Sequence, residues 1–183
     1  SAASDVYKRQ AFGVNIKEED IPCVGISSIT AADIARAKEE GLTYKLIARA
    51  EKSGNAVAAF VCPTLFPSSA PEAHTDGTGN LATLYAARFG RQSFSGAGAG
   101  GYPTGSSVLR DCLDIADGCR SFYADSFTPC SVNLSGTQGK WLFRCMGETF
   151  VRECSAREAF DAYESYRKDD PHALLARYAA EEE

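Results

Sequence analysis

Four glycines within six residues, the run Gly96–Gly101, constrain the fold of this chain more than any other segment. Dense glycine lets a backbone turn sharply and lets a ligand or another backbone approach it closely. The pattern Gly96-x-Gly98-x-x-Gly101 has the spacing of a dinucleotide-binding fingerprint, and residues 103–117 have the apolar spacing of a helix. The run therefore predicts a connection into a helix with free N–H groups at its start.

The surrounding sequence argues against a dinucleotide fingerprint at this point. Such a fingerprint follows a buried parallel strand and leads into a second strand. The preceding run, Arg91–Ser95, is too polar for a central parallel strand, and residues 117–123 give only a weak strand pattern. Two interpretations stay open: a loop that lies close to a ligand, and a tight connection with a purely structural role.

Net charge and hydropathy exclude two classes of partner. The chain has 183 residues, of which 44% are hydrophobic and 23% charged, and its net charge is -5. These values are typical of one soluble globular domain, or one domain with a small addition. The negative charge gives no electrostatic basis for binding nucleic acid or an anionic membrane. No apolar run has the length of a membrane span and no signal-peptide pattern is present, so we expect a cytoplasmic protein.

Cysteine and histidine are not arranged as a metal site. The seven cysteines include no C-x-x-C pair, and the two histidines, His74 and His172, lie far apart in the chain. A zinc site needs these residue types at short spacing. We expect no bound metal, and reduced thiols of which several are buried.

Periodicity and turn residues predict two hairpins and two helices before residue 119. The predicted strands are residues 43–51, 56–62, 80–87 and 91–96. The predicted helices are residues 31–40, with Thr30 and Asp33 as its cap, and residues 103–117. Pro63, Pro67 and Pro71 predict a loop after the first hairpin.

The pattern changes near residue 120, where we place a boundary. A short hairpin is predicted across Met146–Gly147, followed by helices over 155–166, capped by Ser155 and Glu158, and over 171–180. Aromatic residues of this region are expected to form a small core. They are Phe122, Tyr123, Phe127, Trp141, Phe143 and Phe150.

Five segments occur in a recognisable order. They are Ala11-Phe-Gly-Val, Gly25-Ile-Ser-Ser-Ile-Thr-Ala-Ala-Asp-Ile-Ala-Arg-Ala, Tyr44-Lys-Leu-Ile-Ala, Gly77-x-x-Asn80 and Gly96-Ala-Gly-Ala-Gly-Gly-Tyr-Pro-Thr-Gly-Ser-Ser-Val-x-x-Asp111. Together they resemble the catalytic and dimerisation domain of homoserine dehydrogenases, over residues 11–119. The resemblance implies an α+β fold with a mixed, largely antiparallel sheet covered by helices, and residues 120–183 then form a small α/β C-terminal appendage.

The resemblance also implies an activity. Homoserine dehydrogenases interconvert L-homoserine and L-aspartate 4-semialdehyde with NAD or NADP, in the threonine and methionine branch of amino-acid biosynthesis, and a homodimer is implied. The glycine run would border the nicotinamide end of the cofactor. The implied cofactor-binding residues are Gly96, Gly98, Ala99, Gly100, Pro103 and Thr104. A non-catalytic dimerisation or binding module with the same fold and a different NAD(P) enzyme with a related domain remain alternatives.

In this family the nucleotide domain, a proton-transfer lysine and its partner aspartate all precede the Ala-Phe-Gly segment. The family's spacing puts the lysine near Ala3 and the aspartate before residue 1, so no catalytic residue is assigned and we expect the chain alone to be inactive. The codons GAT-GTG-TAT-AAG-AGA-CAG spell Asp5–Gln10, and this DNA sequence resembles a transposase end sequence used in DNA library preparation. We therefore predict residues 1–10 to be an assembly artefact. A divergent natural N-terminus is the alternative.

Some homoserine dehydrogenases end in an ACT-type regulatory domain. The strand-strand-helix order after residue 140 is similar to part of one, but the aspartate-x-proline-glycine opening of that domain is missing. A full ACT domain also needs more residues than follow residue 120. We expect a short, degenerate extension and not a working allosteric module.

Overall fold

The computed structural model describes residues 12–54, 56–119 and 128–180. They form two compact units: the sheet unit, residues 12–68 and 128–180, and the hairpin unit, residues 69–119. The strands are β1 (Val14–Asn15), β2 (Leu42–Ser53), β3 (Ala56–Pro67), β4 (Gly79–Ala86), β5 (Gly90–Ala97), β6 (Thr128–Pro129), β7 (Gln138–Cys145), β8 (Glu148–Ser155) and β9 (Leu174–Tyr178). The helices are α1 (Ala31–Glu39), α2 (Gly101–Ala116) and α3 (Ala156–Asp169).

A five-stranded sheet in the order β2-β3-β9-β7-β8 is the centre of the sheet unit. The β2–β3 hairpin is paired from Leu42↔Pro67 to Ser53↔Ala56, and β7 is antiparallel to both β8 and β9. Within this sheet only the β3–β9 pair is parallel. These pairings confirm the predicted α+β fold with a mixed, largely antiparallel sheet.

Side chains of this sheet alternate between two covered faces, as the two-residue period of a strand requires. On one face, Phe60, Trp141 and Leu175 pack with residues of α3 such as Phe160. On the other face, Leu65, Leu142, Leu174 and Ala176 pack with Ala37 of α1. Near the start of β3, Val57 and Ala59 pack with Val14 and Ile16. The core therefore consists of two layers, one on each side of the sheet.

A buried carboxylate joins α1 to β7. Asp33 is 2% exposed and closes the α1 capping box with Thr30. Its Oδ1 lies 3.1 Å from Arg36 Nη2 and 3.3 Å from Arg144 Nε. Arg144 Nη2 also donates to the carbonyls of Ser28, at 2.6 Å, and His172, at 3.2 Å. Arg144 thus connects β7 to α1 and to the turn before β9.

The hairpin unit contains the antiparallel β4–β5 pair, followed by α2. No residue of β5 or α2 is buried. Large apolar side chains lie exposed on both elements and on β4. They include Tyr85, Phe94, Leu109 and Ile115.

Most predicted elements are confirmed, including both hairpins before α2, the β7–β8 hairpin, and the caps of α1 and α3. The predicted loop at Pro63 and Pro67 is wrong, because β3 continues through both residues. Val61 donates its N–H to Pro22 on the edge opposite β2, so by alternation the nitrogen of Pro63 also faces that edge. Pairing with β9 begins only at Thr64, and the missing N–H of Pro63 therefore costs no β2–β3 bond.

The helix predicted over 171–180 is also wrong, because Leu174–Tyr178 forms β9 in the middle of the sheet. Leu, Ala and Arg favour helix locally, but this segment is buried on both faces between β3 and β7, and the tertiary pairing overrides propensity. Residues 138–178 thereby add three of the five strands to the sheet that β2 and β3 begin.

Two expectations about side chains have mixed outcomes. None of the seven cysteines forms a disulfide with another described residue, but only Cys62 is buried, so the expectation of several buried thiols is wrong. The other cysteines lie at strand ends, on the exposed α2 and in loops, where packing is incomplete. Trp141 and Phe143 are fully buried and Phe150 packs against them, as predicted, whereas Phe122, Tyr123 and Phe127 lie outside the described residues.

Candidate functional site

The structure brings the six predicted cofactor-binding residues together in one turn of the hairpin unit. Gly96 lies in β5, Gly98, Ala99 and Gly100 form the connection, and Pro103 and Thr104 lie in the first turn of α2. Gly96, Gly98, Ala99, Gly100 and Thr104 are exposed, and Pro103 is half-buried. We call residues 96–104 the glycine turn.

Gly98 is held closely by its neighbours. Its N–H donates to the carbonyl of Thr78 at 2.8 Å. A Cβ atom at Gly98 would lie 1.4 Å from Nδ2 and 2.4 Å from Cγ of Asn80. The carboxamide of Asn80 therefore fills the space that any side chain at position 98 would need, and only glycine fits this arrangement.

Gly100 has a different constraint. Its φ of 121° and ψ of 152° belong to a region that side-chain-bearing residues avoid. Gly100 is the N-cap of α2, and its carbonyl accepts the first helical hydrogen bond from Thr104 at 3.1 Å. Two glycines of the turn are thus required for distinct reasons, one steric and one conformational.

The N-terminus of α2 is electrostatically open. No side chain caps it, and its first turn contains no acidic residue. The N–H groups of a first helical turn carry partial positive charge and favour anionic or polar ligands. At the glycine turn a ligand could therefore come close to the backbone, and the partial charge of the helix N-terminus would favour an anionic or polar ligand. Neither property alone identifies the ligand.

The sequence did not assign a site role to Asn80. It was visible only in the Gly77-x-x-Asn80 segment, with no indication of its partner. The β4–β5 register pairs Asn80 with Gly96 and so brings it to the glycine turn. A turn at residues 76–79, closed by the Gly79 N–H bond to Asp76, leads the chain into β4. The sequence alone does not reveal this proximity, because it depends on the pairing register of β4 with β5.

Other chemistry is not apparent among the described residues. They contain no group of three or more His, Cys, Asp or Glu side chains placed to hold a metal ion. Burial raises the pKa of the Cys62 thiol to about 12, so this cysteine is not a nucleophile at neutral pH. None of the described helices is long and apolar enough to span a membrane. The position expected for the catalytic lysine, near Ala3, lies outside the described residues.

The family model for homoserine dehydrogenase matches residues 5–113, a range that includes β1 to β5, the glycine turn and most of α2. The chain belongs to the homoserine dehydrogenase family. The matched range begins inside the segment 1–10, for which the sequence suggests an artefact.

Curated relatives agree with the family model. The chain is 43% identical over 111 residues to homoserine dehydrogenase of Corynebacterium glutamicum, covering 58% of this chain and 25% of that protein. It is 35% identical over 115 residues to the Bacillus subtilis homoserine dehydrogenase, covering 63% of this chain and 27% of that protein. The chain therefore spans about a quarter of the length of the curated relatives it matches.

Solved structures extend the likeness in fold beyond the matched range. A homoserine dehydrogenase from Thiobacillus denitrificans superposes with a TM-score of 0.68 at 21% identity, covering 92% of this chain and 50% of that chain. The S. aureus homoserine dehydrogenase at pH 6.0 gives a TM-score of 0.59 at 21% identity, covering 98% of this chain and 46% of that chain. At this identity the likeness establishes the fold alone.

Proposed function

We propose that this chain is part of an NAD- or NADP-dependent oxidoreductase that interconverts L-homoserine and L-aspartate 4-semialdehyde. The observation that carries the proposal is that the family match coincides with a glycine turn whose shape requires glycine at two positions. Exposed glycines beside an uncapped helix N-terminus give a ligand close access to backbone N–H groups, and this supports a turn that faces a ligand. The proposal takes the ligand-facing interpretation of the turn.

The residues of the glycine turn fit a nicotinamide cofactor in their chemistry. A backbone without side chains at positions 96 and 100 leaves room for a flat ring or a ribose, and the field of α2 favours polar ligand groups. Gly96, Gly98, Ala99, Gly100, Pro103 and Thr104 would border the cofactor. The cofactor, when bound, would exchange a hydride with the substrate carbon, and the turn would orient its ring.

The remaining assignments follow from the same proposal. Residues 11–119 correspond to the catalytic and dimerisation domain, and residues 120–183 to the C-terminal extension, in a cytoplasmic homodimer. We propose that the chain by itself is inactive, because the proton-transfer lysine and its aspartate are not assigned to any of its residues. A lysine amine would exchange the hydroxyl proton of homoserine as the hydride moves.

A fusion protein tests this proposal. Residues 11–183 replace the corresponding region of the Corynebacterium glutamicum relative, whose own upstream part supplies the nucleotide domain and catalytic pair. We expect homoserine-dependent reduction of NAD or NADP by the fusion, followed by absorbance of the reduced cofactor, and none by the 183-residue chain. Activity in the chain alone would overturn the assigned inactivity.

The same experiment decides the rival interpretation. A fusion that folds and binds cofactor but does not oxidise homoserine would favour a dimerisation module without chemistry. A fusion active on a different hydroxy compound, and not on homoserine, would favour another NAD(P) enzyme.

A further inference from the structure

We propose that Asn80 is a positioning residue for the cofactor: its carboxamide packs on Gly98 and fixes the shape of the glycine turn. This proposal rests on the proposed function for its effect on catalysis. The contact itself belongs to the hairpin unit and is independent of that function.

Backbone pairing delivers Asn80 to the turn. Asn80 lies opposite Gly96 in the β4–β5 ladder, two residues before Gly98. The Gly98 N–H bond to Thr78, at 2.8 Å, continues this pairing one step beyond the end of β5. The backbone of Gly98 is therefore anchored to the residues that precede Asn80.

The side chain of Asn80 supplies a second restraint. The Nδ2, Cγ and Oδ1 atoms of Asn80 lie 1.4, 2.4 and 3.1 Å from the position of a Cβ on Gly98, so the whole carboxamide covers this Cα. Gly98 is therefore restrained both by a backbone hydrogen bond to Thr78 and by contact with the side chain of Asn80. These restraints have a large effect at a glycine, because glycine loses more conformational freedom on folding than any other residue.

Restraining Gly98 also restrains the start of α2. Gly100, with its φ of 121°, and Gly101, the first helical residue, follow within three positions. A change in the backbone position of Gly98 would therefore move the N–H groups of the first turn of α2 relative to β5. Asn80 thus acts on the cofactor through the turn, and not by touching the reacting atoms.

The first test uses the 183-residue chain and the amide exchange rate of Gly98. We expect Asn80→Ala to raise this rate about fivefold. The variant loses the contact that holds the glycine turn in its observed shape, so the Gly98 amide should be exposed to solvent more often. Gly98→Ala should remove the same contact by displacing the carboxamide. Exchange of the backbone amide at position 98 in the double variant should then be no faster than in Gly98→Ala alone, because the contact is already broken.

Matched controls separate packing from general damage. Asn80→Asp, which keeps the shape of the side chain and so its packing on Gly98, should leave the Gly98 exchange rate within about twofold of the parent. Gly96→Ala, with open space around its Cβ, should do the same. Independent effects of Asn80→Ala and Gly98→Ala that multiply in the double variant would overturn the proposal.

The second test uses the fusion enzyme. Asn80→Ala and Gly98→Ala should each lower kcat/KM for the cofactor about tenfold, and the double variant should be no worse than either. Asn80→Asp should retain most activity if the residue acts by packing. A loss with Asn80→Asp as large as with Asn80→Ala would show a direct ligand contact and overturn the positioning role.

Failure of the two proposals can be told apart. An inactive parent fusion contradicts the proposed function, while the exchange measurements on the chain still decide whether Asn80 restrains Gly98. An active fusion with unchanged kcat/KM in the Asn80→Ala variant contradicts the positioning role alone.

Discussion

Gly100 and Gly105 lie five residues apart, yet a methyl group should have opposite effects at the two positions. Gly100 has a φ of 121°, where alanine costs on the order of 1–3 kcal/mol. Gly105 lies inside α2 with open space around its Cβ, and alanine should stabilise this helix by about 1 kcal/mol. Urea unfolding of the two single variants measures the change in the free energy of unfolding in each. Changes of equal size and the same sign would contradict the backbone argument.

Arg144 and Arg177 are both buried in the sheet unit but differ in their partners. Arg144 forms an ion pair with Asp33 and donates to two carbonyls, whereas Arg177, 5% exposed, donates to the carbonyl of Gln138 at 3.3 Å. The Nε atoms of both arginines lack a hydrogen-bond partner among the described residues. We expect Arg144→Met to lower the free energy of unfolding by on the order of 3 kcal/mol. Arg177→Met should cost less than about 1 kcal/mol.

Chemical denaturation of both methionine variants provides the measurement, and each is the control for the other. Burial lowers the pKa of Arg177, which agrees with a guanidinium whose charge is poorly compensated. An equal decrease in the free energy of unfolding of the two variants would mean that local hydrogen bonding does not determine how much each buried arginine contributes to stability.

At the scale of elements, the cap of α3 links stability to pH. The N–H and hydroxyl of Ser155 donate to Glu158 Oε2 at 2.9 and 2.7 Å, and these bonds lower the pKa of Glu158. A lowered folded pKa stabilises the folded state above the unfolded pKa, about 4.3, and this contribution is lost as pH falls through the folded pKa. Glu158→Gln should therefore destabilise the chain at neutral pH and have little effect under acid conditions.

Unfolding measured at neutral pH and at a pH below the lowered folded pKa of Glu158 checks this expectation. Glu153→Gln, an exposed carboxylate on β8, controls for the change in net charge. An effect of Glu158→Gln that stays constant with pH would contradict the role of the carboxylate.

Local signals explain which elements the sequence predicted. Thr30 with Asp33 and Ser155 with Glu158 are complete capping boxes, so the starts of α1 and α3 were readable from neighbouring residues. The strand Leu174–Tyr178 could not be predicted in this way, because its partners in β3 and β7 lie far away in the chain. The glycine turn was predicted from composition, but the Asn80–Gly98 contact depends on the β4–β5 register. Local chemistry thus predicted the turn, and pairing determined which side chain covers it.

At the scale of the whole molecule, the boundary that the sequence predicts near residue 120 should not be a folding boundary. A chain that ends at residue 119 lacks β7, β8 and β9, three of the five strands of the central sheet, and also lacks the whole of α3. We expect this shortened chain to lose cooperative unfolding and amide protection in β3, measured by circular dichroism and hydrogen exchange. Leu175→Ala in the full chain, fully buried in the parent, should cost about 2–5 kcal/mol without abolishing folding. Cooperative unfolding of the shortened chain would contradict this dependence.

The exposed apolar residues of the hairpin unit should cause self-association, as the proposed homodimer requires. Leu109 and Ile115 of α2 are 61% and 72% exposed. Large exposed apolar surfaces usually mark an interface. Sedimentation of the chain should show association that Leu109→Lys and Ile115→Lys weaken. Val151→Lys, on β8 of the sheet unit and 46% exposed, is the matched control. Association that is equally sensitive to all three changes would contradict an interface on α2.

The parallel pairing of β3 with β9 also has a consequence during synthesis on the ribosome. More than a hundred residues separate Pro67 from Leu174. At a translation rate of about 5–20 residues per second, the edge of β3 waits roughly 5–20 s for its partner strand. An unpaired apolar strand edge is a template for association with other chains. A nascent chain of this protein should therefore depend on chaperone protection in this interval, and slowed translation should lower its soluble yield.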